Sequence, residues 1–178
     1  MSEKTVDIPE GIEVKQEGNV LTVKGPKGEL TRDFSHPKIV TEAKEKKVTF
    51  RGDDEKRKTY ALLGTFASHV RNMVTGVTKG WEARIKAVYS HFPVKVAVQG
   101  DTVAIQNFLG ERSTREAKIV GDTVVNAKKD DIIITGTSKE DVGQTAANIE
   151  LIAKVKGFDR RIFQDGFYVT QKCQPAGE

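Results

Sequence analysis

The chain has 178 residues, 37% hydrophobic and 30% charged, with 16 glycines against 5 prolines; this excludes collagen-like repeats and wholesale disorder and suits one ordinary domain or two small ones. A net charge of +4 permits a polyanionic partner without demanding one, and the split, 17 basic against 13 acidic residues up to residue 88 and 12 against 12 after it, locates no binding face. One cysteine, Cys173, can neither close an internal disulfide nor build a zinc site, and the chain has no apolar run near ~20 residues and no apolar signal core after Met1-Ser2-Glu3-Lys4, so the expectation is a reducing compartment, the cytoplasm, with no membrane partner.

The first elements are strands. Ile12 to Lys15 and Val20 to Lys24 alternate about a Gly18-Asn19 turn, residues that tolerate positive φ, which predicts a hairpin. A loop at Gly25-Pro26-Lys27-Gly28 leads to a strand from Glu29 to Phe34, and two more follow near Ile39 to Ala43 and Lys47 to Arg51, joined by the charged turn Lys44-Glu45-Lys46-Lys47. After Gly52-Asp53-Asp54 the period changes from 2 to 3.6: Leu62, Leu63, Phe66, Val70, Met73, Val74 and Val77 form one apolar stripe, a helix able to lie on a sheet.

Gly76 to Gly80 is the expected joint, after which Trp81 to Tyr89 reads as extended. Strands are predicted at Val94 to Val98, Thr102 to Asn107, Arg115 to Val120, Thr123 to Ala127 and Asp131 to Thr135. Thr137-Ser138-Lys139-Glu140 has capping-box spacing, and Val142, Ala146, Ile149 and Ile152 then fall on one helical face, leaving Gln144, Asn148 and Lys154 elsewhere.

These two series are copies. Residues 18–29 lie over residues 100–111 without a gap at an offset of 82, keeping turn glycines and alternate aliphatics, and Val48 to Gly52 matches Ile132 to Gly136 at an offset of 84. The predicted fold is α+β: two tandem similar domains, residues 1–80 and 81–178, each an antiparallel sheet packed against a helix, the second ending in a basic, aromatic tail.

No catalytic set emerges. His36, His69 and His91 are widely separated and form no metal-ligand spacing. The loops at Gly25 to Gly28 and Phe108-Leu109-Gly110 lie between strands, and the Gly-Lys dipeptide of a phosphate loop does not occur, so they read as structural turns. Asp53-Asp54 and Asp130-Asp131 are ordinary chemistry for solvated turns, and Cys173 near the end of the chain reads as an incidental thiol. The expectation is no enzyme, no metal and no cofactor.

The concentrated basic region follows the second helix. Lys154, Lys156, Arg160, Arg161 and Lys172 stand against only Asp159 and Asp165, interleaved with Phe158, Phe163, Phe167 and Tyr168. Such a segment can neutralise phosphates, with a turn at Gln164-Asp165-Gly166 presenting it; the bland alternative is a solvated strand whose aromatics, Phe163 and Phe167 first, cover the sheet. Lys56-Arg57-Lys58 reads primarily as the charged start of the first helix, with an RNA contact as the alternative.

The run Thr137-Ser138-Lys139-Glu140-Asp141-Val142-Gly143-Gln144-Thr145-Ala146-Ala147-Asn148-Ile149-Glu150, followed by Arg160-Arg161-Ile162-Phe163-Gln164-Asp165-Gly166-Phe167-Tyr168, closely resembles the L six family of large-subunit ribosomal proteins in its archaeal and eukaryotic form. Val23 to Gly28 and Leu63 to Met73 resemble that family's first half. Phe158 and Phe167 depart from it, standing where its archaeal pattern has a basic and an aliphatic residue. The resemblance implies a tandem α+β fold resident in the large ribosomal subunit near the stalk base, with the second domain on the rRNA helix that bears the sarcin-ricin loop. The implied partners are large-subunit rRNA, neighbouring ribosomal proteins at the stalk base and the translation GTPases that dock there. The implied rRNA contacts are Lys154, Lys156, Arg160, Arg161 and Lys172, with Gln144 and Asn148 as weaker candidates and Asp165 and Gly166 in the turn.

Two other readings compete: a free RNA-binding or protein-interaction module working outside the ribosome, and an enzyme with a site near Trp81 and His91.

Overall fold

A computed structural model describes residues 2–44, 47–54, 56–89 and 92–177. The expectations that fall on Glu45, Lys46, Glu55 and His91 lie outside them. The chain divides into two compact units, Met1–Gly80 and Trp81–Glu178, and the fold is α+β with antiparallel sheets throughout. No helix among the described residues is long and apolar enough to cross a membrane.

In the first unit the strands are β1 (Ser2–Asp7), β2 (Glu13–Glu17), β3 (Val20–Gly25), β4 (Gly28–Asp33), β5 (Ile39–Lys44) and β6 (Lys47–Gly52), followed by the helix α1 (Arg57–Thr78). They form two sheets, ordered β2-β3-β4 and β1-β6-β5, where the sequence predicted one. Period-2 alternation puts Leu21 and Val23 of β3 and Val48 and Phe50 of β6 fully inside. Leu63, Ala67, Val70 and Val77 of α1 close over them, with Leu62, Phe66 and Val74 at the margins. Phe34, Phe50 and Phe66 form an aromatic triangle: the Phe50 ring lies 5.5 Å from that of Phe34 and 5.7 Å from that of Phe66, and the last two are 5.2 Å apart edge to face.

The β3–β4 loop serves the helix. Its Lys27 N–H donates to the carbonyl of Val77 at 2.9 Å, and its ammonium donates to the carbonyl of Lys79. Gly25 permits this approach, since a Cβ there would stand 2.7 Å from the Val77 side chain. At the other end Lys56, the residue before the first turn, offers no capping side chain. Asp54 takes that part, accepting the N–H of Lys56 at 3.3 Å and the hydroxyl of Thr59. The Thr59 hydroxyl, with help from the Lys38 ammonium, holds the Asp54 carboxyl below its ordinary value.

The second unit contains β7 (Trp81–Val88), β8 (Lys95–Gln99), β9 (Thr102–Gln106), a one-turn 3-10 helix (Phe108–Gly110), β10 (Arg115–Lys118), β11 (Val124–Lys128), β12 (Asp131–Gly136), α2 (Lys139–Ile152) and β13 (Gly166–Pro175). Its sheets are β10-β9-β8 and β11-β12-β7-β13. β7 pairs with β12 as β1 pairs with β6, so the copies correspond strand by strand and β13 is an addition along the free edge of β7. Val103, Ile105, Ile132, Ile134, Val142 and Ile149 are fully buried between sheets and helix, and Trp81 belongs to the same core.

Three local expectations change. Of the Gly18-Asn19 pair only Gly18 takes positive φ, at 63°, while the Asn19 carbonyl accepts the N–H of Phe34 at 2.9 Å. The helix cap lies one residue later than the Thr137 spacing predicts: Ser138 Oγ accepts the Asp141 N–H at 3.3 Å, with Glu140 and Asp141 in the first turn. Asp165, assigned to a turn, is only 2% exposed and stands immediately before β13.

Phe50→Ala should cost the full chain about 3–5 kcal/mol in chemical denaturation, since it removes a fully buried member of the aromatic triangle. Ser138→Ala should cost about 1 kcal/mol in the same assay, and Thr137→Ala clearly less; the reverse order would return the cap to Thr137.

Candidate nucleic-acid interface

Between α2 and β13 the chain crosses residues 154–165 without regular structure, and here four of the five tail cations meet: Lys154, Lys156, Arg160 and Arg161 are all exposed. Exposure alone does not make a rigid surface. The loop is fixed at three places.

The first is Arg115 at the start of β10. Its guanidinium lies 4.5 Å over the centroid of the Phe108 ring and is clamped by both oxygens of Glu111, Nη2 to Oε1 at 2.6 Å and Nε to Oε2 at 2.8 Å. The remaining donor, Nη1, reaches the carbonyls of Ile152 at 2.7 Å and Lys154 at 3.0 Å. The Ile152 carbonyl is the last of α2, and that of Lys154 lies just beyond the helix end. The Arg115 side chain is only 14% exposed, and its hydrogen bonds, before its charge and that of Lys156, hold the Glu111 carboxyl below its ordinary value.

The second is Asp159. Its backbone carbonyl accepts the N–H groups of Ile162 at 3.0 Å and Phe163 at 2.9 Å, and its carboxylate accepts the Arg161 N–H at 2.9 Å. The Arg161 guanidinium bonds the same carboxylate from Nε and Nη2, both at 3.2 Å, and keeps its proton affinity low. The third is Phe163, which packs against the core of the second unit, as does Phe167 at the start of β13. Arg160 lines a groove of about 340 Å³ with Lys154, Glu150, Asp165 and Tyr168, whose hydroxyl donates to the carbonyl of Gln164 at 2.9 Å.

Not every predicted residue joins this loop. Lys172 is exposed but lies six residues along β13 from Gly166, up to about 20 Å away on an extended strand. Gln144 is exposed on α2 and donates to Asn148 Oδ1 at 2.9 Å, while Asn148 Nδ2 donates to the carbonyl of Lys118 at 2.9 Å, so Asn148 is a strut between α2 and β10. In the first unit Lys56, Arg57 and Lys58 border a cleft of about 630 Å³ with His36, Lys38 and Asp54, and Lys38 is paired with Asp54 at 3.2 Å.

Among the described residues no group of three or more His, Cys, Asp and Glu side chains could hold a metal ion. Burial pushes the Cys173 thiol up, and its S–H points to the carbonyl of Lys139 at 3.6 Å. The second acidic pair serves a turn: the Asp130 carbonyl accepts the Ala87 N–H at 2.7 Å, and its carboxylate, bonded by the Tyr89 hydroxyl, raises that phenol. The arrangement can hold and present positive charge.

Arg115 and Glu111 escaped sequence reasoning. Their only local signal is an acid four residues before an arginine between two strands, and the partners that give them meaning lie 37 and 39 residues further on. The clamp sets a pH dependence. Because the folded Glu111 carboxyl is depressed, the stability it contributes is present above its ordinary value of 4.5 and is lost as pH falls through the folded value. Glu111→Gln should therefore be less stable than the parent at neutral pH, by a margin that shrinks as pH falls below 4.5 in a denaturation series; a margin independent of pH would refute the charged clamp.

The model of the family described as ribosomal protein L6 matches residues 8–80 and 92–166, one stretch in each unit. The large ribosomal subunit protein uL6 of Methanosarcina mazei is 48% identical over 170 residues, covering 96% of this chain and 97% of its own. That of Methanothrix thermoacetophila is 50% identical over 169 residues (95% and 96%), and that of Ignicoccus hospitalis 50% over 169 residues (92% and 91%). With both repeats matched and half the residues shared along nearly the full length, the chain belongs to the ribosomal protein L6 family.

Proposed function

We propose that the loop from Lys154 to Arg161 seats this protein on large-subunit rRNA, at the helix bearing the sarcin-ricin loop near the stalk base, and so braces the region where translation GTPases dock. As a member of its family the chain is a structural constituent of the large ribosomal subunit, not an enzyme. The observation that carries the finer reading is the loop itself: four exposed cations within eight residues, held from one side by Arg115 and turned by Asp159.

Fixed cations suit a fixed polyanion. Each phosphate neutralised releases condensed counterions, and a loop already ordered loses little conformational entropy on docking. Recognition is by phosphate, sugar and helix shape, because side chains cannot enter the deep, narrow A-form major groove. Lys172, at the far end of β13, would meet a different stretch of RNA, and Gln144 would approach from the helix face.

Replacing Arg160 and Arg161 together with Glu should leave thermal unfolding intact but weaken incorporation into large subunits. It should also lower the salt dependence of rRNA binding by roughly two phosphate contacts. Normal incorporation at high salt would remove both arginines from the interface.

A further inference from the structure

Phosphate contact does not explain the apolar surface of the same loop. Phe158 is 47% exposed and Ile162 is 66% exposed, within a segment otherwise made of cations and a turn. Phe158 is not a loose side chain. Its ring packs against Phe163 at a centroid distance of 4.9 Å and a 52° tilt, and Phe163 is in turn packed against the core, so Phe158 is backed on the side of Phe163 while close to half of it stays exposed. The turn that follows, closed by the bonds of Ile162 and Phe163 to the Asp159 carbonyl, fixes Arg160 and Arg161 beside it, while Lys154 and Lys156 precede it.

A backed aromatic ring bordered by cations matches one chemical partner. An unpaired nucleobase offers an apolar π face flanked by phosphates at the spacing of one nucleotide, and aromatic stacking with cation pairing is how proteins take hold of bases outside a helix. A protein partner would need a matching apolar knob inside an acidic surround, a less economical fit to four clustered positive charges. Resting on the rRNA reading above, we infer that Phe158 is a stacking platform for one unpaired rRNA base, so that the loop recognises a bulged or looped nucleotide as well as the backbone around it.

The test uses the full chain and a transcript of the large-subunit rRNA from its own cell, with base reactivity probed chemically and affinity measured across a salt series. Four proteins are compared: the parent, Phe158→Leu, Phe158→Trp, and Arg160→Glu with Arg161→Glu, each checked for unchanged thermal unfolding. The parent and Phe158→Trp should protect one unpaired nucleotide that Phe158→Leu leaves reactive. Phe158→Leu should bind roughly tenfold more weakly, the loss expected for one base–aromatic stack, with the same salt slope as the parent. An identical footprint and affinity for Phe158→Leu, while the double arginine variant loses binding, overturns the stacking platform and keeps the phosphate loop. Unchanged binding by the arginine variant instead overturns the phosphate loop, and failure of the parent to bind the transcript overturns both. Phe158→Leu that binds RNA normally yet is lost from subunits would assign Phe158 to a protein neighbour and also overturn the inference.

Discussion

The carbonyls at the C-terminal end of a helix need donors, and in both halves of this protein a basic residue from a three-stranded sheet supplies them. In the first unit Lys27, in the loop between β3 and β4, gives its N–H to Val77 and its ammonium to Lys79. In the second, Arg115 of β10 gives one guanidinium nitrogen to Ile152 and Lys154. This tie joins each helix end to a sheet of its own unit. The apolar stripe of α1 or α2 must then lie across the sheets, since two small antiparallel sheets with one apolar face each cannot bury those faces alone.

The two halves diverge at that tie. After α1 the chain passes directly through Gly80 into β7, and nothing extends beyond the helix end. After α2 the tie is an arginine with five donors, enough to grip Glu111 and still hold the carbonyl of Lys154, so the chain leaves the helix in a set direction. The thirteen residues from 153 to 165 then carry the cations before β13 returns the chain to the free edge of β7. One copy of the duplicated unit is thus closed and the other has grown a presented loop.

The sequence was readable where a residue's role depended on near neighbours. The β2–β3 hairpin, the α1 stripe from Leu62 to Val77 and the alternation of β12 all carry their period in the residues themselves. The strand β1 was not readable: Ser2 to Asp7 buries only Val6, and its place beside β6 comes from pairing across more than forty residues. The strand β13 was legible only as the alternative to a phosphate-binding tail, with Phe163 and Phe167 covering the sheet, because it is mostly polar and carries two register shifts against β7. At the site, clustering of Lys154, Lys156, Arg160 and Arg161 was visible as composition. The separation of Lys172, the strut role of Asn148 and the whole contribution of Arg115 depend on backbone partners that no local pattern encodes.

On the proposed reading the loop after α2 is the surface that faces rRNA. Protein–RNA crosslink mapping on salt-washed large subunits, with peptide and nucleotide both identified, tests it most directly. Crosslinks are expected from residues 154–163 to the helix that bears the sarcin-ricin loop. Crosslinks confined to the first unit, or a chain washed off the subunit without any, would contradict it.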